Sequence, residues 1–148
     1  MTVQVVGAFV GVATAHLMFA HSLFALSSHS RTGTAQLVSE FVATFGLVAV
    51  IRGCGQRQVV AFAVGAYIAA AYWFTASTSF ANPAVTLARA ATDTFAGIRP
   101  ADAPGFIAAQ MLGAAAATGL FSWLLPAPAE ARPVGTTSAA GVRVPGQA

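Results

Sequence analysis

Few side chains in this 148-residue chain can do chemistry, and they are scattered. The histidines His16, His21 and His29 and the single Cys54 lack the spacing of a zinc site, and one cysteine makes no internal disulfide. Four acids and seven arginines, with no lysine, form neither a catalytic constellation nor a basic stripe for nucleic acid. One local pattern stands out, Asn82-Pro83-Ala84. Asn82 is a good N-cap, because its side-chain oxygen can accept from the first helical turn. Pro83 suits the first helical position, where a missing N–H is no loss. At a membrane midplane, such a start would oppose cations with the positive end of the helix dipole. The Asn amide would donate to a passing oxygen. The plainer reading of the tripeptide is a loop-to-helix boundary.

Composition decides what must position these residues. Of the chain, 57% is hydrophobic and 7% charged, and the mean hydropathy is +0.73. A soluble domain carries about a quarter charged residues. A soluble enzyme, a disordered chain and a disulfide scaffold are therefore excluded, and the expected setting is a lipid bilayer. A span needs about 20 apolar residues. The apolar runs predict helices over about 3–26, 35–51, 59–75 and 104–125, with a short helix over about 83–92. The short helix cannot span, so at membrane depth it needs shelter in protein or water. A broken segment in an apolar chain points to a transport site. The domain is residues 1–125, and residues 126–148, rich in Pro, Ala, Gly and Thr, read as a disordered tail. Gln4-x-x-Gly7-Ala8 and Gln110-x-x-Gly113-Ala114 form a weak internal repeat.

The ordered set Glu40-Phe41-x-x-Thr44-Phe45-x-Leu47-Val48, Asn82-Pro83-Ala84-Val85-Thr86-Leu87-Ala88 and Gln110-x-x-Gly113-Ala114 resembles the major intrinsic proteins, the aquaporins and glycerol facilitators. The resemblance covers about residues 4–125. It implies an all-α integral membrane fold in which two half-helices, each opening on Asn-Pro-Ala, meet at the midplane of a six-helix inverted repeat. It also implies passive transport, no cofactor and a homotetramer with one pore per subunit. This chain resembles the third family helix plus the second repeat: an incomplete fold of four spanning helices and one pore half-helix. The sequence Val85-Thr86-Leu87 looks more like a first box, whereas Thr75–Ala81 lacks the Gly-Gly-His common before one. Four helices would leave one side of the lumen open. The alternative to a channel subunit is therefore a truncated, non-conducting fragment that assembles with itself or with a full-length homologue.

The resemblance also assigns sites. Asn82, Pro83 and Ala84 would form the polar element of the pore. Val85 stands where water-selective members carry Arg, Ala70 where they carry His, and Ser79 on the loop before the box. A filter of Ala70, Ser79 and Val85 is wide and apolar, like those passing glycerol or uncharged metalloid hydroxides. Arg89, one turn beyond Val85, would line the outer mouth or cap the outer interface. Glu40 would tether the loop into the half-helix through backbone N–H groups around Ser77–Phe80. His16 and His21 read better as interior or interfacial residues than as pore lining. Gly7, Gly11, Gly46, Gly65, Gly113 and Gly119 read as helix crossings. With a cytoplasmic tail, Arg52, Arg57, Arg132 and Arg143 lie inside, and Arg31 and Arg99 outside, a mild positive-inside bias. That fits a multi-pass protein of the cell (inner) membrane.

Overall fold

The computed structural model describes residues 2–125, so the tail assigned to 126–148 lies outside the described residues. Five helices follow in order: α1 (Thr2–Met18), α2 (Thr34–Gly53), α3 (Arg57–Phe74), α4 (Pro83–Arg89) and α5 (Ala103–Leu124). No strand occurs among the described residues. α2, α3 and α5 are long and apolar enough to cross a membrane. Large apolar side chains stay exposed on their flanks, including Phe62, Trp73 and Trp123. A helix apolar on most sides suits hydrocarbon and not water.

The apolar run 3–26 is not helical throughout. α1 has 17 residues, a rod of about 26 Å. Ala20 then turns left-handed, with φ of 54°. From there an extended strap, residues 21–33, crosses the C-terminal end of α4. Ala25 N–H donates to Ala91 O, and Ser27 N–H to Ala90 O. Apolar composition reports depth in the bilayer. It says nothing of whether the backbone finds its partners within a helix or across to a neighbour. The short helix likewise ends at Arg89, because its last carbonyls are taken by a closing turn at Ala90 and Ala91 and by Ile98 N–H, while the strap takes the carbonyls of the two residues that follow.

The main helix pair is α2 with α5, brought together at Gly113. A Cβ there would lie 2.5 Å from the Phe41 carbonyl oxygen, so only glycine allows this approach. α3 packs against α2, where the Tyr67 hydroxyl donates to Ala43 O at 3.0 Å beside Gly46. α4 lies between α1 and α5. Phe80, Ile98 and Phe106 form a small buried cluster beneath it, with Val85 packed on its edge. Of the six glycines read as crossings, Gly46 and Gly113 meet close neighbours. Gly7, Gly11, Gly65 and Gly119 face open space among the described residues.

Candidate functional site

The site is the start of α4 and the loop that feeds it. Asn82 caps the helix as its residue type predicts: Oδ1 accepts from Ala84 N–H at 2.8 Å, and Pro83 takes the first turn. This fixes the amide so that its NH2 group has no protein partner among the described residues. The approach is unusual. Thr78, Ser79 and Ala81 adopt φ of 62°, 49° and 50°. Left-handed backbone costs a residue with a Cβ roughly 1–2 kcal/mol. No donor among the described residues reaches the carbonyls of Thr78, Ser79, Phe80 and Ala81. Four consecutive residues with free carbonyls therefore precede the free amide of Asn82 among the described residues.

Glu40 holds this strained loop from below. It is fully buried, and its two carboxylate oxygens accept from Phe80 N–H at 2.8 Å and Ala81 N–H at 2.9 Å. The contact thus falls on the last two loop residues before Asn82. Gln110 donates from Nε2 to Glu40 at 2.7 Å and to Thr86 Oγ1 at 2.9 Å. Thr86 already donates its own proton to Asn82 O, so it must accept from Gln110, which fixes that amide's orientation. Its repeat counterpart, Gln4, is exposed.

A second tie has no sequence signal. Arg31, on the strap, is 6% exposed although it lies outside every helix. Its guanidinium donates to Ser77 O at 3.0 Å, Phe95 O at 2.7 Å and Gly97 O at 2.7 Å. Burial pulls its pKa below the ordinary value, and the Glu40 charge opposes that shift. Only the burial and the three carbonyls identify this residue; in the sequence it is one arginine of a polar loop.

The remaining candidates separate. Val85 and Arg89 line a cleft of about 450 Å³ between α1 and α4, together with Val12, His16 and Thr92. The Arg89 guanidinium sits 4.3 Å from the Phe80 ring centre, and its buried Nη1 has no partner among the described residues. Ser79 is buried and its hydroxyl is also unpartnered among the described residues. Ala70 is exposed on α3, which among the described helices packs against α2 alone, so it is not brought to Val85. His16 is satisfied: Leu23 O can only accept from Nδ1, at 2.7 Å, which leaves Nε2 to accept from the Thr92 hydroxyl at 2.6 Å. His21 is exposed. Among the described residues no group of three or more His, Cys, Asp or Glu could hold a metal ion.

Two carboxylates pin the strap from outside. Ser28 N–H and its hydroxyl both donate to Asp93, which holds that carboxyl below the usual range against a small opposing effect of burial. Asp102 is lowered by the Arg99 guanidinium and also accepts Arg31 N–H at 2.9 Å. A depressed carboxyl pKa contributes stability above its unfolded value and loses it as pH falls through the folded one. Hydrogen-exchange protection of the Ser28 and Arg31 amides, corrected for intrinsic rate, is therefore expected to hold from pH 7 to 5. It should fall only below about pH 4, the ordinary carboxylate value. Loss already at pH 6 would show that these carboxylates do not pin the strap.

Comparison with known proteins agrees with the geometry. The family model for major intrinsic proteins matches residues 51–147. Over 133 residues the chain is 56% identical to the aquaglyceroporin AqpS of Rhizobium meliloti (strain 1021), covering 88% of this chain and 56% of that protein. The chain thus spans little more than half the length of this relative. No solved structure matches it. A buried carboxylate holding an Asn-Pro-Ala helix start, in an all-helical membrane fold with this relative and this family match, makes the chain a member of the major intrinsic protein family.

Proposed function

We propose that this chain is a subunit of an aquaporin-like channel for water or small neutral solutes, with its polar element at Asn82, Pro83 and Ala84. One observation carries the reading: four consecutive residues with free carbonyls precede a free Asn82 amide at the N-terminus of a short, sheltered helix. Such a set exchanges hydrogen bonds with water or a polyol as it passes, and the dipole end repels cations. With Val85 beside the box, where water-selective members carry Arg, and Ser79 on the approach, the filter lacks that cation. That favours glycerol or uncharged metalloid hydroxides over water alone. Arg89 would stand at the outer mouth, above Val85. The chain transports and does not transform, so no cofactor is required. We place it in the cell membrane with its tail in the cytoplasm, assembled as a homo-oligomer.

A second reading is favoured by specific features. Ala70 is not brought to Val85, and Gln4, Gly7 and Gly11 of α1 face open space. Further walls would have to come from another copy or a homologue, and a chain without them would not conduct. Proteoliposomes of the wild type and Asn82→Leu, matched for inserted protein, separate the readings. Self-sufficient conduction predicts water and glycerol permeability above empty liposomes. In Asn82→Leu it should drop at least about tenfold, the effect of about 1.4 kcal/mol on a barrier. Inserted wild-type protein no more permeable than bare lipid would leave the second reading.

A further inference from the structure

We propose that Arg31 is a positioning residue of the pore loop, setting the shape of the constriction and through it the choice among solutes. The inference rests on reading α4 as the polar element of a pore. The loop reaches Asn82 through three left-handed residues that carry a Cβ, so it relaxes unless both of its ends are held. Glu40 holds the end nearest the helix by accepting two N–H groups. At the far end Arg31 donates to the carbonyl of Ser77, the residue immediately before the left-handed stretch. The same guanidinium reaches Phe95 and Gly97, beyond the other end of α4. One planar group therefore fixes the segments that enter and leave the half-helix. A lysine ammonium, a point charge on a flexible stem, cannot reproduce that fork.

Arg31 also bears on the constriction through Phe80. Its Cζ lies 5.0 Å from the Phe80 ring centre, and that of Arg89 lies 4.3 Å from it. The residue carrying one of the free carbonyls is thus packed by two guanidinium groups. Without the Ser77 contact the backbone of Thr78 to Ala81 would shift and its free carbonyls with it, and a polyol needs several acceptors in register where water needs one.

The test uses the full chain in liposomes, as wild type, Arg31→Lys and Arg31→Gln. Phe80 and Ala81 amides are expected to exchange about tenfold faster in both variants, while amides in the middle of α2 and α5 keep their rates. At equal inserted protein, the glycerol-to-water permeability ratio falls in Arg31→Lys although the charge is kept. Unchanged exchange at Phe80 and Ala81 in Arg31→Lys would overturn the proposal. So would a uniform rise through α2 and α5, which would make Arg31 a residue of the general fold. An unaltered permeability ratio would overturn its role in selectivity. If the wild type conducts nothing, the pore reading fails, and the exchange pattern alone decides whether Arg31 clamps the loop.

Discussion

Replacing Glu40 by alanine removes most of the folded protein. The carboxylate is fully buried and accepts three N–H donors, from Phe80, Ala81 and Gln110. Alanine leaves the Phe80 and Ala81 N–H groups, and one of the two N–H bonds of the Gln110 amide, without acceptors, while the other still donates to Thr86. Each such donor costs about 1–3 kcal/mol, so the total for three is on the order of 3–9 kcal/mol, comparable with the whole stability of a small domain. Three residues held left-handed would then relax, and α4 would lose its anchor. The monodisperse fraction in mild detergent, measured by size exclusion, is expected to collapse, and the melting temperature of what remains to fall. Glu40→Gln should lie between the two proteins, because its NH2 group faces a donor where the second oxygen stood. A Glu40→Ala protein as stable in detergent as the wild type would exclude the tie.

Gly113→Val is expected to be the next most damaging change. A Cβ at this position meets the Phe41 carbonyl oxygen at 2.5 Å and the Phe45 nitrogen at 3.1 Å. Both are backbone atoms of α2 and cannot swing aside, so the two helices must separate. Overpacking of this kind costs typically about 1–3 kcal/mol, and here it strikes the principal helix pair. It also moves Gln110, one turn earlier on α5, away from Glu40. Gly119→Val, on the same helix but facing open space, is the control and should leave thermal stability unchanged. Equal melting temperatures for the two variants would mean that α2 and α5 do not approach as closely as described.

What was legible in the sequence, and what was not, divides along physical lines. Asn82 and Pro83 act through local backbone chemistry, so their residue types were enough to place the helix start. The lone acid in an apolar run had to be partnered, and resemblance placed its partners within one residue. α2, α3 and α5 were legible as long apolar runs. The strap was not, because the stretch after Met18 is as apolar as a helix, yet its backbone bonds run to Ala90 and Ala91. Arg31 was invisible for a related reason. Its three acceptors are main-chain carbonyls, which leave no trace in residue type. Ala70 was placed by counting back from Asn82, and counting carries no knowledge of which helices touch.

The ties on α4 also impose an order of assembly. A helix of seven residues is too short to hold itself, since isolated helices below about 12–15 residues are marginal in water. Its supports are drawn from distant parts of the chain: Glu40 from forty residues upstream of Phe80, and Gln110 from 24 residues downstream of Thr86. During synthesis the segment around Asn82 leaves the ribosome after one half of its socket and before the other. The half-helix must therefore be the last element to settle, waiting for α5 to dock on α2 at Gly113. Settling of the half-helix is then timed by a helix that comes after it in the chain.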